Sequence, residues 1–304
     1  MEETARLTEM ALAWSESGRG VALATVVAVE GAAPRPAGSR LIIDDTQRFQ
    51  GSVSGGCVDA AVIEEATKVI KSGNPVLMPF GEATDSPWAI GLACGGAIKV
   101  LVERLTADLS ATYRQMIVLG RQRQSAERLI ELPDRSHFRE CWNPAPRLLI
   151  VGAVHIAQHL NRMAHLADYD VTIIEPRSAF RREEHFPAAT LTGLWPDEAI
   201  AALQPDADTA VIALTHDTKL DDPAIVAALA SEAFYIGALG SRETHRKRLN
   251  RLRTGGLNPG QLARIQGPVG IEIGAQSPAE IAISIMAGLT ATRRVERIHK
   301  RTAE

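Results

Sequence analysis

The chain has 304 residues, 45% hydrophobic and 23% charged, the balance of an ordinary globular protein with room for about two domains. A formal net charge of −3 argues against a generic nucleic-acid binder, which carries a basic surplus. The acidic, amphipathic start MEETARLTEMALAW does not read as a secretory signal, and apolar runs such as Val21–Val29 are too short to span a membrane. Three cysteines give no disulfide framework, so the expected compartment is the cytoplasm.

In chain order, Leu7, Met10, Ala11 and Trp14 fall on one face of a helix over residues 1–17, stopped by Gly18 and Gly20. VALATVVAVEG is rich in β-branched residues and reads as a buried strand. GAAPRPAG (Gly31–Gly38) reads as a rigid turn carrying Arg35, and SRLIIDD as a second strand with Arg40 near its start. GSVSGGCVDAAVIEEATKVI is then a glycine turn, Ser54-Gly55-Gly56-Cys57, feeding a helix from about Cys57 to Lys71 that ends at Gly73. NPVLMPF and Ile98–Leu105 are further strands, and GLACGGAIKV between them places Cys94 before Gly95 and Gly96. Residues 106–146 contain a polar, basic stretch, GRQRQSAERLIELPDRSHFRECWNPAPR, closed by Pro144 and Pro146. They read as a connector between a first domain, 1–105, and a second, 147–304.

Cys57 and Cys94 each adjoin a Gly-Gly pair at a strand or helix junction. Glycines let a ligand approach the backbone, and free N–H groups at a helix start suit an anion and lower the pKa of a nearby thiol. The pattern describes a site for an anionic ligand beside one or two thiols, with Arg35 and Arg40 as phosphate partners. The plainer account of each cysteine is a buried thiol beside a tight turn. Zinc is not indicated, because neither a C-x-x-C pair nor a histidine stands at ligand spacing.

RLLIVGAVHIAQHLNRMAHLADYDVTIIEPR (Arg147–Arg177) reads as a βαβ unit: a strand, a turn at Gly152, a helix, and a strand ending in Glu175, where a Rossmann domain places its ribose-binding carboxylate. Further strands in ADTAVIALTHD and AFYIGALGS alternate with a helix over Asp222–Ser231. The second half is therefore a Rossmann-like, doubly wound parallel-sheet domain after an N-terminal α/β domain. In Gly152-Ala153-Val154-His155-Ile156-Ala157 the middle glycine of the dinucleotide fingerprint is a valine, which weakens NAD(P) as a cofactor. His155, His216, Asp217 and Ser241 fall at the expected ligand edge of this sheet. His155 reads either as a ligand contact or as a solvated or capping residue, and THDTKLDD either holds a metal or caps the helix after it. The basic run Arg242–Arg253 reads as a solvated helix face. Ser277, Pro278 and Glu280 form a capping box.

Taken together, GAAPRPAGSRL, GSVSGGCVDAAVIEEA and GLACGGAIKVLVE resemble the N-terminal domain of the XdhC/CoxI family, the maturation factors for xanthine dehydrogenase and CO dehydrogenase. PRLLIVGAVHIA, IIEPR, LTHDTKLDD, GALGSRETHRKRL and GPVGIEIGAQSPAEIAISI resemble its Rossmann domain. The resemblance implies a chaperone that binds molybdenum cofactor (molybdopterin), protects it, supports its sulfuration and inserts it into an apo molybdenum hydroxylase. A cysteine desulfurase is a further partner and a homodimer the expected assembly. By position, Gly55, Gly56, Cys57, Cys94, Gly95 and Gly96 match the N-terminal motifs, with Cys57 and Cys94 facing the metal, and Gly152, His155 and Ala157 match the Rossmann turn. The alternative is an NAD(P)-dependent oxidoreductase using the Rossmann half, with Cys57 or Cys94 as its thiol.

Overall fold

The computed structural model describes residues 2–81 and 95–302, and the chain divides into two compact units, Met1–Pro144 and Ala145–Glu304. The first unit contains α1 (Glu2–Glu16), β1 (Val21–Glu30), β2 (Arg40–Asp44), β3 (Phe49–Gly51), α2 (Asp59–Ser72), β4 (Val76–Phe80), β5 (Ala97–Arg104), α3 (Ala107–Arg121), β6 (Ala126–Glu131) and β7 (His137–Trp142). β1 to β5 form an antiparallel sheet in the order β3-β2-β1-β5-β4. Its strands alternate as a two-faced sheet must. Ala22, Ala24, Leu41 and Ile43 face Val62, Ala66 and Val69 of α2, which stops at Gly73 with φ 76°. Leu23 and Ile42 face the other way, against Leu7 and Ala11 of α1, Tyr113 of α3, and Trp142.

The stretch expected to be a connector is part of this first unit. Along β6, Ala126 and Ile130 are buried while the residues between them are not, so a polar sequence still lays one apolar edge on the core. α3 and the β6–β7 hairpin also supply the partners of a buried charge. Arg40 is fully buried. Its guanidinium donates to Thr8 Oγ1 at 2.6 Å, to Thr25 Oγ1, to the Tyr113 hydroxyl at 2.9 Å and to Glu140. Glu140 also accepts from Tyr113 Oη at 2.9 Å and Trp142 Nε1 at 3.0 Å. An isolated charge in such a place would be costly, and the paired, fully bonded group is tolerated. Arg40 is therefore a core residue and not the phosphate partner its position suggested.

The second unit contains β8 (Arg147–Val151), α4 (His155–Leu166), β9 (Asp170–Ile174), β10 (Thr190–Thr192), α5 (Pro196–Leu203), β11 (Thr209–Ala213), α6 (Thr218–Leu229), β12 (Tyr235–Ala238), α7 (Arg242–Thr254), α8 (Pro259–Ala263), β13 (Ile265–Gln266) and α9 (Pro278–Thr302). Its sheet is parallel throughout, in the order β10-β9-β8-β11-β12-β13. That is the 3-2-1-4-5-6 order of a Rossmann domain, with its topological switch point between β8 and β11. Leu148 and Ile150 of β8 pack with Ala157 and Leu160 of α4 and Ile285 of α9 on one face. Leu149 and Val151 pack with Ile200 of α5 and Ile225 of α6 on the other. The capping box of α9 forms: Ser277 N donates to Glu280 Oε2 at 2.9 Å, and Glu280 N to Ser277 Oγ. Among the described residues no helix is long and apolar enough to cross a membrane.

Candidate functional site

Strand register decides which sequence motifs meet. Glu30 pairs with Ala97, Arg40 with Thr25, Gly51 with Leu41 and Phe80 with Ile98. One end of the first sheet therefore carries the turn 31–38, the loop 52–58, Gly81 and the pair Gly95–Gly96. A Cβ on Gly96 would lie 2.2 Å from the Ala32 carbonyl oxygen, so only glycine lets the two motifs touch. Cys94 lies outside the described residues. Arg35 sits in the turn and pairs with Glu3, Nη2 to Oε2 at 2.6 Å, while both side chains keep solvent contact.

The loop before α2 is organised by Asp59, the first residue of that helix. Its buried carboxylate accepts from Ser52 Oγ at 2.6 Å, Ser54 Oγ at 2.9 Å and the backbone amides of Val53 and Ser54 at 3.2 Å. Ser52 Oγ in turn accepts from Gly55 N at 2.6 Å, and Ser54 Oγ from Val58 N at 3.0 Å. Ser54 thus builds the loop from inside instead of meeting a ligand, as its position had suggested. Gly55 and Gly56 have φ of 73° and 114° with open space around them, a backbone path that side chains resist. α2 has no side-chain cap, and the amides of Gly56 and Cys57 have no acceptor among the described residues. Cys57 is exposed, just ahead of the helix and not inside it. The result is a thiol beside free N–H donors at a helix start, able to receive an anionic or soft-metal ligand.

In the second unit the Gly152 turn stands at the switch point. Gly152 has φ 106°, and a Cβ there would meet Thr215 Cγ2 at 2.6 Å, so glycine is required. Val154 takes an ordinary extended backbone, φ −85°, as the residue before α4, and packs partly against the core. His155 opens α4 exposed, its ring 5.2 Å from that of His159. Glu175 does not serve as an open ribose acceptor. It is fully buried and accepts from Ala153 N at 3.0 Å, from Arg177 N at 3.0 Å, and from Arg177 Nε and Nη2 at 2.8 Å each. Burial works against its charge, but the Arg177 and amide hydrogen bonds outweigh it and hold the carboxyl below its ordinary value. With this carboxylate occupied and the middle glycine replaced, the NAD(P) oxidoreductase alternative has no support at the turn.

The other edge residues act as caps. Asp217 accepts from Lys219 N at 2.9 Å at the start of α6, and Ser241 from Thr244 N at 3.1 Å at the start of α7. Asp221 organises the loop after β11, accepting from Thr215 Oγ1 at 2.6 Å, Thr215 N at 3.2 Å and His216 N at 3.1 Å. Buried Arg248 stands 3.7 Å away, so the basic run of α7 is not wholly a solvated face. Among the described residues no group of three or more His, Cys, Asp or Glu could hold a metal ion. Sequence reasoning missed Asp59, Asp221 and Arg177. The available signal for the first two was an acid one short step into a helix, after a loop with Ser or Thr and an unusual turn.

These features define a two-unit α/β protein, a thiol-bearing glycine loop in one unit and a Rossmann domain in the other. Residues 14–81 match the XdhC and CoxI family, and residues 148–289 match the XdhC Rossmann domain. The chain is 34% identical over 293 residues to the molybdenum cofactor insertion chaperone PaoD of Escherichia coli, covering 91% of this chain and 85% of that one. It is 28% identical to a probable xanthine dehydrogenase component of Bacillus subtilis, covering 90% and 93%. A crystal structure from Bacillus halodurans, described as a xanthine dehydrogenase, shares the fold with a TM-score of 0.83 over 96% of both chains at 24% identity. The chain belongs to the XdhC and CoxI family.

Proposed function

We propose that this protein binds molybdenum cofactor, protects it, supports exchange of a molybdenum oxo ligand for sulfur, and inserts the cofactor into an apo molybdenum hydroxylase of the xanthine or CO dehydrogenase type. The likeness to an insertion chaperone across 91% of the chain carries this reading, and the Cys57 loop agrees with it chemically. The cofactor is cargo, and its terminal phosphate wants N–H donors and a guanidinium. The amides of Gly56 and Cys57, which have no acceptor among the described residues, meet the first need. Arg35 meets the second by leaving Glu3, since an ion pair in contact with solvent is worth only about 0–1 kcal/mol. Cys57 and Cys94 face the molybdenum, as soft thiolate ligands suit it. Sulfur comes from a cysteine desulfurase, and the working form is a cytoplasmic homodimer.

The test is anaerobic incubation with molybdenum cofactor, gel filtration, and counting of molybdenum and oxidised pterin per chain. Wild type should load near one per chain, and Cys57→Ser and Cys94→Ser should each load less while keeping their thermal stability. Equal loading of all three proteins would remove the thiols from the site. No loading in any of them would refute the cofactor reading itself.

A further inference from the structure

Loop 267–274, between β13 and α9, is fixed along its backbone yet turns apolar side chains to solvent. Val269 N donates to the Ala238 carbonyl oxygen at 3.1 Å and Gly270 N to the Tyr235 hydroxyl at 3.2 Å. A Cβ on Gly270 would lie 2.4 Å from Ser284 Oγ, so the loop sits directly on α9. Ile271 N donates to the Ser284 carbonyl oxygen at 3.2 Å, and Ser284 Oγ to the Ile271 carbonyl oxygen. These bonds bring Ile271 alongside Ile283, the chain neighbour of Ser284. Ile271, Ile273 and Ile283 are each close to half exposed. One such residue alone is ordinary. Three together, stiff at χ1 and mounted on pinned backbone, lose little freedom when covered.

A row of cations borders this patch. Arg242 Nη2 bonds Glu272 Oε2 at 2.6 Å, which joins the first turn of α7 to the loop. Arg246 and Arg253 lie within about 40° of Arg242 around the helix. Arg248 and Leu252 occupy the buried face, so the row looks outward, with the Arg242 and Arg246 side chains 80% and 67% exposed. Arg253 bonds only the neutral Asn250. The pairs with Glu243 and Glu272 are exposed and hold their arginines weakly. α7 carries five arginines and a lysine against one glutamate, in a chain whose net charge is −3. Its positive face is set against an acidic remainder.

We propose that the three isoleucines and the arginine row form the docking face for the apo molybdenum hydroxylase, which meets them with an apolar recess bordered by carboxylates. This rests on the insertion role proposed above and adds where the receiving protein attaches. An apolar centre with a charged rim is the anatomy of a protein interface. The arginines steer an acidic surface into place and the isoleucines hold it there. A second copy docked here about a two-fold axis would set one arginine row against another. A nucleic-acid backbone or an anionic lipid surface would meet Glu272, which stands between Ile271 and Ile273 with its side chain 83% exposed.

Biolayer interferometry of the full chain against the purified apo hydroxylase, at low and high salt, tests this. Raising the salt, or combining Arg242→Glu with Arg246→Glu, should slow association about tenfold, whereas Arg246→Lys, which keeps the charge, should associate like wild type. Ile271→Ser combined with Ile273→Ser should instead speed dissociation about tenfold. These positions are exposed, so the variants should keep the wild-type melting temperature and cofactor loading; if the loop variant fails to fold, Ile283→Ser on the surface of α9 decides. Wild-type binding in the charge-reversed and isoleucine variants, or no binding by the wild-type chain, overturns the proposal. So does an isoleucine variant that turns from dimer to monomer in sedimentation, or a wild-type chain that binds duplex DNA or phosphatidylglycerol vesicles more tightly than the apoenzyme. Loading separates the two readings. A wild-type chain that takes up no cofactor refutes the insertion role, whereas one that loads but docks no differently from its variants refutes this face alone.

Discussion

In the first unit the loop between β3 and α2 folds around Asp59; in the second the loop between β11 and α6 folds around Asp221. Each aspartate is buried near the start of the helix that follows, and each gathers hydroxyl and amide donors from the loop. The outcomes differ because the helix starts differ. α6 has a side-chain cap in Asp217, whereas α2 begins after Val58, which caps nothing. The Asp221 loop is closed on itself, with His216 forced to φ 61°. The Asp59 loop stops short of closure and leaves two amides beside an exposed thiol. A buried carboxylate that shapes a loop does not by itself mark a site. What sets the Asp59 loop apart is the uncapped helix start beyond it, with two amides that have no acceptor among the described residues.

The largest effect should come from Asp221→Ala. It strips Arg248 of its nearby carboxylate while both are buried, and leaves three loop donors without an acceptor. Breaking a buried pair in this way costs about 3–5 kcal/mol, measurable by urea unfolding. Asp59→Ala strands only neutral donors and should cost less, about 1–3 kcal/mol, yet it alone should reduce cofactor loading. Equal costs for the two variants would break the distinction between them.

Acid titration sharpens it further. Burial pushes the Asp221 carboxyl above its ordinary 3.8, with the Thr215 hydrogen bonds and Arg248 only partly opposing. The folded state then holds that proton at a pH where the unfolded chain has lost it, so this group's contribution to stability falls as pH rises from about 3.8 to the raised native value. Glu175 acts in the opposite sense. Its contribution is present above about pH 4.5, its ordinary value, and is lost as pH falls through the lowered native value. Urea midpoints between pH 2.5 and 7 should show Asp221→Asn and Glu175→Gln departing from wild type with opposite slopes. The smallest effect on folding belongs to Cys57→Ser, an exposed position where stability should stay within about 0.5 kcal/mol of wild type while loading falls.

Much of the fold was legible because its signals are local. Apolar periodicity marks α1 and α2, a β-branched run marks β1, an apolar run marks β8, and Ser277 with Glu280 marks the start of α9. The glycine–cysteine loop was legible for a similar reason, since Gly55 and Gly56 announce a backbone that side chains resist. Residues 106–146 were not, because along β6 and β7 the apolar positions alternate among charges, and only a neighbouring core shows which edge is buried. Asp59 was within reach, a few positions from the serines it holds, but nothing in a helix-starting acid says that its carboxylate points inward.

By itself the sequence determined the two-unit α/β plan, the parallel character of the second sheet and the place of the thiol loop, because hydrophobic period, glycine and helix-start residues act over a few positions. Only the tertiary structure decided which charges are available. Arg40 reaches partners up to 100 positions away and vanishes into the core, and Glu175 closes on its own turn. Arg177, the last residue of the expected βαβ unit, stays 39% exposed, with its guanidinium over the Phe180 ring. Availability is a property of the groups that arrive from elsewhere in the chain: a charge that finds a buried partner is withdrawn from solvent, and one that keeps unused donors stays at the surface.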